Sequence, residues 1–167
     1  TREAWRFAQL HRSGPVALIL TRQNLPTVDR SVFASAEGLH RGAYVLAEAD
    51  GGTPDTILIA TGSEVHDAMT ARETLQAEGL KVRVVSMPSW EIFDEQDATY
   101  RESVLPAAIT RRVSFEVGVT SGWERWVGQS GIAVGINHYG ASAPGATVAK
   151  ELGLTADAVV AAVRSLQ

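Results

Sequence analysis

The stretch Thr56-Ile57-Leu58-Ile59-Ala60-Thr61-Gly62-Ser63-Glu64 decides the fold that the sequence predicts. It begins as an apolar run without alternation, which is typical of a strand buried on both faces, and it ends in a turn. Apolar residues then recur with helical spacing from Val65 to Leu75, and Gly79 is placed to end that helix. Lys81–Met87 predicts a second strand. Strand, helix and strand in this order form a βαβ unit with parallel strands.

The remaining elements extend this pattern on both sides. Further strands are predicted at Val16–Leu20, Tyr44–Leu46, Arg111–Val117 and Ile132–Ile136. Helices are predicted at Glu3–His11, with Trp5, Ala8 and Leu10 on its inner side, at Trp90–Phe93, Asp94–Leu105, Trp123–Val127 and Lys150–Leu152, and from an N-cap at Thr155. Strands separated by helices indicate an α/β protein, and we expect a three-layer α/β/α sandwich with a mostly parallel sheet.

Composition excludes several classes of function. The net charge is −4 and no basic run occurs, so nucleic-acid binding is not expected. No apolar stretch reaches the roughly 18 residues of an ordinary membrane span. Absence of cysteine excludes disulfides, thiolate metal sites and a cysteine nucleophile, and is compatible with a cytoplasmic protein.

The 167 residues are expected to hold one full domain and part of another. Residues 27–41 are polar and irregular over a length that favours a domain boundary. We therefore expect residues 1–26 to be the tail of one domain, 27–41 a linker, and 42–167 a second domain. Since Thr1 is not a methionine and a helix follows at once, we interpret the chain as a fragment.

Arg22 is the first candidate for a binding residue. It follows the predicted strand Val16–Leu20, and ligands of α/β proteins usually bind where strands end. An arginine there suggests an anion, because its planar fork can hold a phosphate with two hydrogen bonds. Pairing with a carboxylate is the alternative.

Gly62 and Ser63 form the second candidate, a turn at the start of a predicted helix. Backbone N–H groups at such a turn can hold a phosphate. Ser63 is also an ordinary N-cap, and Glu64 would repel an anion, so the capping interpretation is favoured.

Histidine and glutamate add two weaker candidates. The spacing of His11, His40, His66 and His138 does not suggest a zinc site. His138 follows a strand and precedes a Ser/Pro/Gly loop, where it could line a binding site or be held by backbone.

Glu116 ends another strand and could act as a base or cap a helix. Pairing with Arg111, Arg112 or Arg125 is the commoner outcome for such a carboxylate. Trp90, Trp123 and Trp126 are expected in a core or at an interface.

Six short segments, taken together and in this order, resemble the transketolases. They are Thr21–Pro26, Ile59–Val65, Val84–Ser89, Phe93–Asp97, Tyr100–Pro106 and Tyr139–Pro144. The resemblance implies that residues 1–26 end the pyrimidine-binding domain of that family and that 42–167 form its C-terminal domain. It also implies that Arg22 matches the arginine that binds the sugar phosphate.

The family transfers a two-carbon ketol unit from a ketose phosphate to an aldose phosphate in the pentose phosphate pathway. The resemblance implies thiamine diphosphate and magnesium (or calcium) as cofactors, sugar phosphates as substrates and a homodimer. The family's Gly-Asp-Gly motif for metal and diphosphate does not occur here. We therefore expect the chain alone to hold no catalytic residue, to bind neither cofactor and to be inactive.

Other interpretations stay open at this stage. The chain could be a non-catalytic structural or dimerisation module, or a regulatory module that binds an anion at Gly62 and Ser63. 1-Deoxyxylulose-5-phosphate synthases and the dehydrogenase components that act on 2-oxo acids share the domain, but Arg22-Gln23-Asn24 and Arg101–Pro106 favour transketolase over them. Dihydroxyacetone synthase is closer and stays an alternative.

Overall fold

The computed structural model describes residues 1–166. Its helices and strands follow one another in the order α1 (Arg2–Leu10), a 3-10 helix (Ala36–Arg41), β1 (Tyr44–Ala47), β2 (Thr56–Ala60), α2 (Glu64–Ala77), β3 (Val82–Ser86), α3 (Trp90–Asp94), α4 (Ala98–Val104), β4 (Arg112–Phe115), α5 (Glu124–Val127), β5 (Ile132–Val134), α6 (Gly145–Glu151) and α7 (Ala156–Ser165).

The strands form one sheet in the order β1-β3-β2-β4-β5. β2 pairs in parallel with both β3 and β4, and β4 pairs in parallel with β5. Only β1 runs antiparallel, at one edge against β3. The predicted βαβ unit is confirmed, and with it the prediction of a mostly parallel sheet.

The central strand shows why the sheet carries helices on both faces. Ile57 and Ile59 point into a core shared with α3, α4 and α5. Leu58 and Ala60 point into a second core shared with α2 and α7. Because side chains alternate between the two faces along a strand, a run that is apolar throughout needs a layer of helices on each face of the sheet. The three-layer α/β/α sandwich is therefore confirmed.

Local chemistry fixes the C-terminal end of α2 as predicted. Gly79 has a φ of 93°, and its N–H donates to the carbonyl of Gln76. The N–H of Leu80 reaches back to the carbonyl of Leu75, which completes a Schellman motif. Glycine allows the left-handed backbone that this ending requires.

The prediction of a buried strand at Val16–Leu20 is wrong. The segment has no regular structure, and Ile19 is 92% exposed. A strand exists only where other strands accept its hydrogen bonds, and none of the strands within residues 1–166 lies beside it.

The predicted inner face of α1 is also wrong. Trp5 and Leu10 are mostly exposed, at 54% and 63%. Glu3 is buried instead, because α1 packs against the 3-10 helix and turns its acidic side towards His40.

The segment 27–41 is more ordered than the predicted linker. It contains the 3-10 helix, and Phe33 packs on the core beside α2 and α7. The N–H of Ala34 donates to the carbonyl of Leu46 on the edge strand β1.

Two predicted boundaries shift. The polar stretch Asp94–Leu105 splits, because the Asp97 carboxylate accepts from the N–H of Tyr100 and starts α4 at Ala98. β4 ends at Phe115, which leaves Val117 53% exposed. Within residues 1–166, no helix combines the length and apolar character that a membrane span requires.

Candidate functional site

The sheet reverses its winding direction next to β2, and this position is the natural place to look for a site. β3 lies on one side of β2 and β4 on the other, so the loops after β2 and β4 diverge to opposite faces. In open α/β sheets, ligands bind in the crevice that such a divergence leaves at the carboxyl ends of the strands. The turn Thr61–Glu64 follows the carboxyl end of β2, and the segment Glu116–Gly118 follows that of β4, which places both where such a crevice is expected.

The turn before α2 is already supplied with negative charge. Ser63 stands at the N-cap position, but its side chain makes no capping bond and its hydroxyl donates to Glu64 Oε1 at 2.6 Å. The predicted capping role of the Ser63 side chain is therefore wrong. A Cβ at Gly62 would lie 3.7 Å from Glu64 Oε2. The negative charge of Glu64 on this turn opposes anion binding, and an anion site at Gly62 and Ser63 stays a prediction.

Asp67, one turn further along α2, is partly buried, which raises the pKa of its carboxyl; the neighbouring His66 has a smaller opposing effect. The first turn of α2 thus carries two acidic groups, Glu64 and Asp67.

The second carboxylate of the crevice has a partner that the sequence did not reveal. Glu116 Oε2 accepts from the indole Nε1 of Trp123 at 2.9 Å. Pairing with Arg111, Arg112 or Arg125, predicted as the commoner outcome, is wrong, since Arg112 donates to backbone carbonyls and Arg125 pairs with Asp94. Trp123 is 2% exposed, so its buried N–H requires an acceptor and Glu116 supplies it.

His138 lies on an exposed loop beyond β5. Its Nδ1 is 2.8 Å from the carbonyl oxygen of Tyr139, which agrees with a histidine held by backbone. Hydrogen bonds join this loop to the loop after β4. The Asn137 side chain accepts from the N–H of Thr120 at 3.0 Å and donates to the Thr120 hydroxyl at 2.9 Å. A role of His138 at the rim of a site stays a prediction.

Arg22 is exposed and lies in an irregular segment, not at the end of a strand. The N–H of Gln23 donates to Thr21 Oγ1 at 3.2 Å, which forms a small turn around the arginine. Within residues 1–166, no hydrogen bond or ion pair joins Arg22 to Gly62, Ser63 or His138. The phosphate-binding role implied for Arg22 by the family resemblance stays a prediction.

The three tryptophans predicted for a core or an interface lie in or against the core that the sheet shares with α3, α4 and α5. Trp123 and Trp126 are buried, and Trp90 packs edge-on against both, with ring centroids 5.0 and 6.3 Å away. Trp5 alone of the four is mostly exposed. The prediction of a core is thus confirmed for Trp123 and Trp126.

A cluster around Glu3 joins α1 to the 3-10 helix. His40 Nε2 lies 3.0 Å from Glu3 Oε2, while Arg2 and Arg6 lie at 3.3 and 3.4 Å from the same carboxylate. The hydrogen bond from His40, together with Arg6 and Arg2, lowers the pKa of Glu3 against the opposing effect of burial. Sequence reasoning missed this cluster because Glu3 and His40 are 37 residues apart in the chain.

The part of the chain that the structure describes contains no set of side chains arranged to bind a metal ion. No group of three or more His, Asp or Glu side chains there is arranged to hold a metal ion. The family's Gly-Asp-Gly motif is also absent from the sequence, and the expectation that this chain binds neither magnesium nor thiamine diphosphate stays a prediction.

Comparison with known proteins identifies the fold. The family described as the Transketolase-like TK C-terminal domain matches residues 42–155. The transketolase of Geobacillus stearothermophilus is 46% identical over 99% of this chain and 25% of its own length. Such relatives are about four times longer than the chain, which spans about a quarter of them.

Solved structures agree with this match. A transketolase from Leishmania mexicana superposes with a TM-score of 0.89 and 39% identity, covering 98% of this chain and 23% of that one. A split-gene transketolase described as an inactive β4 tetramer superposes with a TM-score of 0.66 and 27% identity, covering 87% of this chain and 47% of that one. The chain therefore belongs to the transketolase family and contains its C-terminal domain.

Proposed function

We propose that the chain is part of a transketolase that moves a two-carbon ketol unit from a ketose phosphate to an aldose phosphate in the cytoplasmic pentose phosphate pathway. One observation carries the proposal: the fold matches a solved transketolase over 98% of the chain. The sequence identity of 46% to a transketolase over nearly the whole chain agrees with it.

Arg22 is the residue of this chain that we expect to contact substrate. It is exposed and charged, and the turn set by Thr21 and Gln23 keeps the segment compact. A guanidinium can hold two phosphate oxygens at once, so its contribution would be to bind and orient the phosphate end of a sugar phosphate.

Thiamine diphosphate and magnesium would be held by other parts of the whole protein; for the metal, this is supported by the lack of a group of three or more His, Asp or Glu side chains arranged to bind it within residues 1–166. When bound, thiamine diphosphate supplies the stabilisation of the carbanion that ketol transfer requires. We expect a homodimer of the whole protein.

The proposal is tested by assaying the whole protein that carries this sequence for ketol transfer, with and without added thiamine diphosphate and magnesium. We expect turnover of a ketose phosphate and an aldose phosphate that depends on both additions. Absence of turnover with both present, in a protein shown to be folded, would contradict the proposal.

The chain itself is proposed to be inactive and to serve as a structural part. The inactive β4 tetramer of the split-gene relative, which this chain resembles, agrees with that idea. The purified chain, supplied with the same substrates and cofactors, should give no turnover, and measurable turnover would show that it holds a complete site.

A further inference from the structure

A hollow of about 320 Å³ lies on the face of the domain formed by α3, α4 and α5. Its inner wall is apolar and buried, and consists of Phe93, Leu105 and Trp126. Three arginines border it: Arg101 on α4, Arg112 on β4 and Arg125 on α5. The hollow is separate from the crevice beside β2 and from the Arg22 segment.

Arg112 is the fixed cation of this group. Its guanidinium donates to the carbonyls of Ile109, Trp126, Leu105 and Pro106 over 2.7 to 3.1 Å. Those acceptors are neutral, so they hold the guanidinium in place without cancelling its charge. Burial lowers the pKa of Arg112, and the nearby Glu102 opposes this effect.

The other two arginines are exposed and retain free donors. Arg125 pairs with Asp94 through one terminal nitrogen, and its guanidinium carbon lies 4.7 Å from the centre of the Trp126 ring. Arg101 pairs with no side chain among residues 1–166, although it faces the same hollow. Stacking on tryptophan restricts Arg125, which reduces the entropy lost when it binds a ligand.

The countercharges nearby do not balance the arginines. Glu102 is one of the residues that line the hollow, but its Oε1 accepts from the N–H of Ala107 at 2.9 Å. Asp94 is engaged by Arg125. Three cations stand against two carboxylates, which leaves the hollow with a net positive charge beside its apolar wall.

We propose that this hollow binds the phosphate group of a small molecule, with Arg101 and Arg125 as ligands and Arg112 as a fixed positive charge behind them. Planar guanidinium groups favour phosphate oxygens geometrically, and the apolar wall of Phe93 and Trp126 can contact the body of a phosphate ester. The site would be a second phosphate site, independent of ketol transfer and of Arg22.

The test uses the isotope-labelled chain titrated with sodium phosphate at constant ionic strength. We expect the indole N–H resonance of Trp126 and the Nε–H resonance of Arg125 to shift and to saturate. A parallel titration with glucose 6-phosphate separates the sources. Tighter binding of the ester indicates a sugar phosphate in contact with the apolar wall, and equal binding indicates recognition of phosphate alone.

Two variants and two controls make the test specific. Arg101→Gln and Arg125→Gln should each weaken phosphate binding about fivefold, the factor that corresponds to an exposed ion pair of about 1 kcal/mol. Lys150→Gln removes an exposed lysine and Arg30→Gln an exposed arginine, both outside the hollow, so neither should change it. Shifts that chloride reproduces, or binding that Arg101→Gln leaves unaltered, would overturn the proposal.

Discussion

Gly42, which joins the 3-10 helix to β1, has a backbone that only glycine adopts easily. Its φ is 81°, and a Cβ built there would lie 2.2 Å from the backbone nitrogen of Phe93 and 2.6 Å from the carbonyl oxygen of Ser89. The same residue accepts from the N–H of Ser89 at 3.0 Å. The backbone of Gly42 can therefore approach the backbone of Ser89 and Phe93 this closely only because glycine has no side chain.

Replacing Gly42 by alanine should destabilise the chain by about 3 kcal/mol or more, because left-handed strain adds to a clash with backbone. Gly51 is the matched control. Its φ is 80°, but a Cβ there meets nothing within 4 Å, so Gly51→Ala should cost only about 1 kcal/mol. Urea unfolding measures both values, and equal losses would show that the close approach does not matter.

Arg83 is a buried cation whose role is to end α4. It donates to Glu48 at 2.9 and 2.7 Å and to the carbonyls of Ser103 and Val104 at 2.7 and 3.0 Å. These carbonyls belong to the last turn of α4, where helix carbonyls lack partners of their own.

We expect Arg83→Met to reduce the free energy of unfolding by about 2–4 kcal/mol, because buried carbonyls and part of a carboxylate lose their donor. Glu48→Gln should cost only about 1 kcal/mol, since the Glu48 side chain is 41% exposed and water can replace part of the interaction. A larger loss in Glu48→Gln than in Arg83→Met would contradict this account.

Glu3 should make stability depend on pH in the acid range. Its pKa in the folded chain lies below the ordinary 4.5, chiefly because of the hydrogen bond with His40. The folded state therefore binds a proton less readily than the unfolded state, and the stabilisation is present above pH 4.5 and is lost as pH falls through the lowered pKa.

Thermal unfolding from about pH 7 to pH 3 checks this expectation. Glu3→Gln should flatten the loss of stability at acid pH, whereas Glu73→Gln, on the exposed side of α2, should keep the wild-type profile. Asp29 and Glu78 also have lowered pKa values, caused by Ser31 and Arg164, so part of the acid dependence should remain in Glu3→Gln. An unchanged profile in Glu3→Gln would show that the Glu3 cluster contributes nothing.

The pairing of α2 with α7 is the main contact between helices in the layer that covers Leu58 and Ala60. Leu75 of α2 is 0% exposed and Val163 of α7 is 2% exposed, and both belong to the same core. Helices of this length gain most of their stability from such packing and not from intrinsic propensity.

Leu75→Ala should therefore destabilise the chain by about 2–5 kcal/mol through lost burial and a residual cavity. Glu73→Ala, two residues earlier and exposed, should change stability by no more than about 0.5 kcal/mol. Paired urea unfolding curves check this, and similar losses in the two variants would mean that α2 is not anchored through Leu75.

The elements that were predictable from sequence are those whose cause is local. The run Thr56–Ala60 is apolar on both faces and Gly79 ends α2, so the βαβ unit could be read directly. Val16–Leu20 is as apolar as β2, yet it forms no strand. A strand needs neighbouring strands that accept its hydrogen bonds, and the local sequence does not determine whether such neighbours are present. Apolar periodicity predicts that a segment can be buried, but not which element covers it.

The candidate site was less predictable than the fold. Glu116 was expected to pair with an arginine, but it accepts a hydrogen bond from the indole of Trp123, because that buried N–H needs an acceptor. The hollow bordered by Arg101, Arg112 and Arg125 gathers residues from α4, β4 and α5, whose proximity follows only from the assembled layers. Arg22 was selected because it follows the predicted strand Val16–Leu20, and since that strand does not form, only the family resemblance still supports its role.

The whole molecule combines a complete sandwich with an N-terminal segment that exposes apolar side chains. Ile19 and Leu20 are 92% and 52% exposed, while the sandwich buries its apolar strands on both faces. Such exposure of large aliphatic side chains marks a surface that another part of a protein can cover. This division agrees with a chain that spans about a quarter of its transketolase relatives.

The most direct test of the account is the KM of the whole protein for a phosphorylated ketose donor, compared with a non-phosphorylated donor, in wild type, Arg22→Gln and Arg30→Gln. Arg30 is a matched exposed arginine that donates to the carbonyl of Ala34. We predict that Arg22→Gln raises the KM for the phosphorylated donor about tenfold, because a charge-assisted hydrogen bond is lost. Arg22→Gln should not change the KM for the non-phosphorylated donor, and Arg30→Gln should not change the KM for either donor. An unchanged KM for the phosphorylated donor, or an equal rise for both donors, would contradict the assignment of Arg22 as a ligand of the sugar phosphate.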